Sequence, residues 1–175
     1  MSRHLARASL VSSLLWLVLS LFSLPAEASS RIVWENNGHS YQRFESAITW
    51  PEAKTYCESQ SGYLATITSK EENDFIFSQF GGSSALLWLG GSDADHEGTW
   101  SWITGETWVY SNWEVGEPNN LGAGGINENS LMMGDCYGLY GCEEWMNKGK
   151  WNDKNSDTTL ATLWFICEWS NGKSN

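Results

Sequence analysis

Histidine, basic residues and proline are scarce in this chain of 175 residues, and each scarcity removes a class of function. Of 3 histidines, only His39 and His96 lie beyond the first 28 residues. Neither falls in a zinc-ligand or nucleophile–base spacing, and no G-x-S-x-G occurs, so the chain reads as a non-enzyme. Lys and Arg total 10 against 21 Asp and Glu. That deficit of positive charge speaks against nucleic acid and anionic membranes as partners, and for cations or neutral ligands. Only Pro51 and Pro118 follow Pro25, so each marks a position and not a tract. No repeat, heptad or low-complexity segment is present to mark a second domain.

What is present begins with a targeting signature. Arg3 and Arg7 open the chain, Leu10 to Leu24 is an uncharged apolar run, and Ala26-Glu27-Ala28 is a small-x-small cleavage pattern. Residues 1–28 therefore read as a secretory signal peptide. The competing reading is a retained anchor, because the uncharged span from Ala8 to Ala26 is nearly long enough to cross a bilayer. No later stretch could span one, so no membrane partner is expected after cleavage. Residues 29–175 are expected to form a single domain with 8 basic and 20 acidic side chains, a net charge of −12. Eleven of the 12 tryptophans lie there, far too aromatic for disorder. All 4 cysteines do too, and an even number in an oxidising compartment makes two disulfides the default.

Local signals then set out the elements. Arg31 to Glu45 reads as a hairpin turning at Asn37-Gly38. Thr49-Trp50-Pro51-Glu52 has capping-box spacing and an early proline, predicting a helix to about Ser59 that Gly62 ends. Leu64 to Ile67 reads as a strand, and Ser69-Lys70-Glu71-Glu72 as a second capping box opening a helix to Phe80. Leu86 to Gly90 reads as a buried central strand, and Thr99 to Ile103 alternates as a half-buried one. Between them, Asp93 to Gly98 resembles the start of an EF-hand loop, but Thr104 stands where its bidentate Glu belongs. Leu131 to Met133, Lys150-Trp151 and Leu160 to Trp169 read as closing strands.

A long segment, Gly105 to Asn129, has neither periodicity, with Trp108, Tyr110 and Trp113 as its anchors. Within it, Glu117-Pro118-Asn119 puts a carboxylate and an amide on either side of a proline. A cis Glu117–Pro118 bond would aim both side chains outward. Trp151-Asn152-Asp153 repeats the chemistry, with an aromatic followed by an amide and a carboxylate. Either cluster alone reads as solvated loop; together they read as hard oxygen ligands for calcium.

These motifs carry a family resemblance. The helix ending Tyr56-Cys57, Trp88-Leu89-Gly90-Gly91, Glu117-Pro118-Asn119, Trp151-Asn152-Asp153 and Phe165-Ile166-Cys167-Glu168 occur in the order of a C-type lectin-like domain. From Val33 to Ser170 the chain resembles that family. The resemblance implies an α+β fold of two helices and small antiparallel sheets under a long calcium-binding loop. It also implies a Cys57–Cys167 disulfide, whose loop of 111 residues is worth ~4.8 kcal/mol in the chain-entropy description. Its calcium ligands map to Glu117, Asn119, Glu128, Asn152 and Asp153, the last adding its backbone carbonyl. About six protein oxygens leave room for two vicinal sugar hydroxyls. The E-P-N order resembles the mannose type, which takes equatorial 3- and 4-hydroxyls (mannose, glucose, N-acetylglucosamine).

Three features depart from the family pattern. Ser130 and Ser156 stand where a second disulfide usually lies, while Cys136 and Cys142 fall in an insertion, Gly134 to Lys148. A local Cys136–Cys142 bridge is one reading; a free pair or an intermolecular link is the other. An auxiliary calcium site would map to Asp93, Glu97, Asn120, Glu128 and Asn129, with two amides where carboxylates would bind better. Tyr140 and Trp145 in the insertion either stack on a second sugar or pack the insertion itself. The expectation is a secreted, calcium-dependent lectin with a glycan as partner. The alternative is the same fold binding a protein or ice surface.

Overall fold

Asn37-Gly38 turns the chain as its residue types require. Gly38 takes a φ of 75° and its N–H closes on the Trp34 carbonyl at 2.8 Å. The turn joins β1 (Ile32–Trp34) to β2 (His39–Phe44) as an antiparallel hairpin. The computed structural model describes residues 30–81, 85–122, 124–134, 149–161 and 163–170. The predicted signal peptide, and Cys136, Tyr140, Cys142 and Trp145 of the insertion, lie outside the described residues. Among the described residues no helix is long and apolar enough to cross a membrane.

Helix α1 (Trp50–Ser59) starts where expected. The Thr49 side chain and the Glu52 side chain satisfy each other's backbone N–H groups, and the proline sits in the first turn. Gly62 matters after its end for space, not for dihedral freedom. The left-handed residue is Ser61, at φ 59°, whereas a Cβ on Gly62 would sit 2.6 Å from the Glu168 carbonyl oxygen. Helix α2 (Lys70–Phe80) keeps half of its expected capping box. Ser69 accepts from the Glu72 N–H, but the Glu72 carboxylate turns away to the Thr68 N–H and hydroxyl.

The strands form one connected sheet in the order β1, β2, β8 (Leu163–Trp169), β4 (Leu86–Ser92), β6 (Ser130–Met133) and β7 (Trp151–Lys154). Strand β3 (Tyr63–Leu64) lies against β8, and β5 (Ser101–Trp102) against β4. At the centre, β4 pairs parallel with β8 and antiparallel with β6. Strand β7 closes the far edge. Three strands are shorter than the sequence predicts, β8 because it begins at Leu163 and not at Leu160, whose carbonyl accepts from the Leu163 N–H in a turn. Ala65 to Ile67 are fully buried, yet their backbone bonds are isolated ones, Ala65 N–H to Ile166 and Gly90 N–H to Ala65. Thr99 to Ile103 contributes only Ser101 and Trp102 to the ladder. The Cys57–Cys167 disulfide is formed, at a Cα separation of 5.4 Å, and joins α1 to the central strand inside the apolar core.

A buried polar network that no sequence signal announced ties β2, β8 and α2 together. Tyr41 donates to Glu72 at 2.6 Å, and His39 Nδ1 pairs with Glu168 Oε1. The second Glu168 oxygen accepts from the Thr66 N–H, and the Thr66 hydroxyl bonds Glu106 at the root of the long loop. The His39 imidazole is pushed above its ordinary pKa by its bond to Glu168, against the opposing effect of burial, and the field of Glu168, Glu72 and Glu106 adds to the rise. Glu72 is pushed up mainly by burial. Both groups favour their protonated forms in the fold, so both stabilise at low pH and lose that stabilisation as pH rises. For His39 the loss runs from 6.5 upward through its raised folded value. His39→Gln should therefore lower the melting midpoint at about pH 6 and leave it nearly unchanged at about pH 9. Melts of both proteins across that range check this; an equal gap at both ends would remove the imidazolium from the network.

Candidate carbohydrate and cation site

The long loop is ordered from one residue. Trp151 is fully buried, and the rings of Trp102, Trp108, Tyr110 and Trp113 meet its ring edge-on at 5.5–5.9 Å. Each such pair adds about 0.5–1.5 kcal/mol beyond area burial. The Trp151 backbone donates to Asn112 and accepts from Glu114, and its indole N–H donates to Asn73 on α2 at 2.8 Å. All three anchors expected from the sequence thus converge on the first residue of the W-N-D triplet. Trp151 lies in a strand, as its sequence predicts, and Asn152 and Asp153, whose residue types suggest loop, continue it: the triplet is the body of β7, and every residue of that strand is buried.

From this strand the site is assembled across to the proline turn. The Glu117–Pro118 bond is cis. Immediately after it, the N–H groups of Asn119 and Asn120 donate to the two oxygens of Asp153, at 3.2 and 2.7 Å. Asn120 takes a positive φ of 50°, and its side-chain oxygen accepts from the Glu128 N–H at 2.7 Å. Asn119 Oδ1 accepts from Leu121 N–H at 2.7 Å. One chain of hydrogen bonds therefore links Asn119, Asn120, Glu128 and Asp153, and Asn152 and Glu117 are their direct neighbours in sequence.

Several oxygens in this region are buried without a partner. Asn152 Oδ1, Asp93 Oδ1 and Asn129 Oδ1 are in this position. An acceptor shut away from water and left unmet is costly, and a cation is the group that an array of acceptors alone can satisfy. Among the described residues no cluster of three or more His, Cys, Asp or Glu side chains forms a metal-holding group. The donor set is instead a mixture of amide and carboxylate oxygens, which suits calcium and not zinc. The engaged Asp153 oxygens retain lone pairs, since a carboxylate accepts at about four positions.

The auxiliary set is partly gathered as well. Asp93 is buried, its N–H reaches the Asn129 carbonyl, and its Oδ2 accepts from the Gly98 N–H at 2.9 Å. This bond closes a turn of its own, unlike an EF-hand loop. Glu97 has its carboxyl pushed above the ordinary range, first by desolvation and then by Asp93. Where the family's second disulfide is missing, the Ser130 and Ser156 hydroxyls bond each other at 2.8 Å. The sequence reading missed one residue here: Lys154, buried at the end of β7, pairs with Glu128 Oε1 at 2.8 Å. Its signal was its place directly after W-N-D, where strand pairing brings it beside the loop's acidic residue.

Comparison with known proteins agrees with this geometry at the level of fold and family. The profile of the Lectin C-type domain matches residues 46–169. CD209 antigen of Macaca mulatta is 33% identical over 134 residues, 75% of this chain but 28% of its own length. Halomucin of Haloquadratum walsbyi is 35% identical over 112 residues, 54% of this chain and 1% of its own length. The chain thus spans only a small part of these relatives. Among solved structures, the cow C-type carbohydrate-recognition domain of CD23, determined with a GlcNAc2Man3 oligosaccharide, is 30% identical with a TM-score of 0.65. That match covers 81% of this chain and 94% of the other. A calcium-independent type II antifreeze protein shares the fold at 23% identity and a TM-score of 0.63, over 81% of this chain and 92% of its own. Domains of this kind are generally non-catalytic, typically calcium-dependent and commonly extracellular. With its fold, its disulfide and its matched span, the chain belongs to the C-type lectin domain family.

Proposed function

We propose that the chain is a secreted, calcium-dependent lectin for mannose-type sugars, those with equatorial 3- and 4-hydroxyls. The observation that carries this reading is the docking of the Glu117-Pro118-Asn119 turn onto the Asp153 carboxylate, beside the unmet Asn152 oxygen. Glu117, Asn119, Glu128, Asn152 and Asp153 would hold the ion. Calcium, when bound, supplies a positive centre that two vicinal sugar hydroxyls can coordinate. The chain's own residues do the rest. Each hydroxyl accepts from an asparagine amide and donates to a carboxylate, so the turn's order of acceptor then amide selects the sugar's hydroxyl geometry. Residues 1–28 serve as the export signal and residues 29–175 as the single binding domain. The expected Cys136–Cys142 bridge belongs to the same proposal.

A specific observation favours a second reading, binding to a protein or ice surface. Val115 is 90% exposed and Leu121 77%, on either side of the proline turn, with Ile126 exposed further on. Apolar side chains at the rim of a polar site fit a broad surface as well as a sugar. Binding that persists in chelator would favour this reading.

Two measurements test the first reading. A cation that binds only the folded loop stabilises by about 2.7 kcal/mol at 100 times its Kd. For a domain of this size that is about 5–10 °C in melting midpoint between excess calcium and chelator. An unchanged midpoint removes calcium from the site. The second test reverses the turn. Glu117→Gln with Asn119→Asp preserves size and formal charge, so calcium binding should survive. The reversed donor–acceptor order leaves mannose-type hydroxyls mismatched, at ~1–3 kcal/mol for each buried group. Titration with methyl mannoside should show at least a tenfold loss; unchanged affinity would mean that the sugar is seated elsewhere.

A further inference from the structure

Lys154 is an unusual residue to find at a cation site. It ends β7, opposite Ser130 of β6 and directly after Asp153. It is 6% exposed, and its ammonium lies 2.8 Å from Oε1 of Glu128, itself 4% exposed. A buried ammonium persists only where a carboxylate meets it, so the pair is part of the folded site and not a surface contact. Glu128 is also the one carboxylate that the two candidate ion sets share, the principal set with Glu117, Asn119, Asn152 and Asp153, and the auxiliary set with Asp93, Glu97, Asn120 and Asn129.

We propose that Lys154 is a built-in counter-ion that takes the place of a second calcium, so that the domain binds one ion and not two. The inference rests on the calcium reading above and concerns the number of ions that site can hold. A shared carboxylate serves two ions by offering an oxygen to each. Here the ammonium sits against Oε1, and its positive charge, not a shortage of lone pairs, opposes a second cation beside that carboxylate. The auxiliary set is weakened on other counts. Asn120 and Asn129 bring amides in place of carboxylates, and Asn120 Oδ1 already accepts from the Glu128 N–H. Asp93 Oδ2 is held by the Gly98 N–H, which fixes the carboxylate's orientation. What remains of a cation pocket is the buried, unmet Asp93 Oδ1 and Asn129 Oδ1. These oxygens mark where a second ion would gain partners if the ammonium were removed. The same pair fixes Glu128 without any ion, so the far end of the loop is held in place before calcium arrives.

Calcium titration by calorimetry on the secreted chain, with melts in chelator, tests the inference. The parent should bind one calcium per chain. Lys154→Met should bind a second ion, or bind the first tighter by roughly tenfold, the effect of removing a positive charge a few ångströms from a dication even at water-like screening. In chelator, Lys154→Met should melt below the parent, and calcium should close the gap. Lys154→Arg, which keeps the charge, should retain one ion and guards against a variant that fails to fold without calcium. Two ions on the parent, or a Lys154→Met titration indistinguishable from it, would overturn the inference. No calcium uptake by parent or variant would show instead that the calcium reading itself fails, and the inference with it.

Discussion

The site depends on four consecutive buried residues at one edge of the sheet. In β7, Trp151 collects the aromatic anchors, Asn152 presents an unmet oxygen, Asp153 receives the amides of the proline turn, and Lys154 pairs with Glu128. Burying two opposite charges and an orphan acceptor on one short strand is expensive, and a sheet edge of plain apolar residues would be more stable. Such a cost, concentrated beside a loop without regular structure, is what a binding site imposes on a fold. The strand converts a long loop from an entropic liability into a positioned array of oxygens.

Much of the frame was legible because its signals are local. Asn37-Gly38, Thr49 with Glu52, and Ser69 each act within a few residues, and the hairpin and both helices fall where they point. The Cys57–Cys167 pairing came through family resemblance, and no spacing argument would have supplied it. Errors arose where partners are distant in sequence. Ala65 to Ile67 look like strand by composition, but their hydrogen bonds go to separate neighbours and no ladder forms. The Glu72 carboxylate forsakes its helix cap because Tyr41 and Thr68 offer buried donors. Asn152-Asp153 reads by its polar side chains as loop, whereas the pairing with β6 carries the strand begun at Trp151 through both residues.

At the site, residue types were legible and their mutual service was not. The sequence pointed to Asn120 and Asn129 as weaker auxiliary ligands, but not to Asn120 as the link between the proline turn and Glu128. Nor did it single out Lys154, because a lysine after an aspartate is ordinarily a solvated pair. The Ser130–Ser156 hydrogen bond is a similar case: both half-cystines of the family are missing together, and a hydroxyl pair at 2.8 Å still spans the position. Together these contacts describe a loop that closes on its own hydrogen bonds while keeping a few oxygens in reserve.

The proposed function requires that those reserved oxygens hold a calcium ion to which a sugar is then bound. A glycan-binding screen with the purified chain, run in excess calcium and again in chelator, tests it most directly. The expected result is retention of mannose-, glucose- or N-acetylglucosamine-terminated glycans in calcium and its loss in chelator. Binding unaffected by chelator, or no glycan retained in calcium, would contradict it.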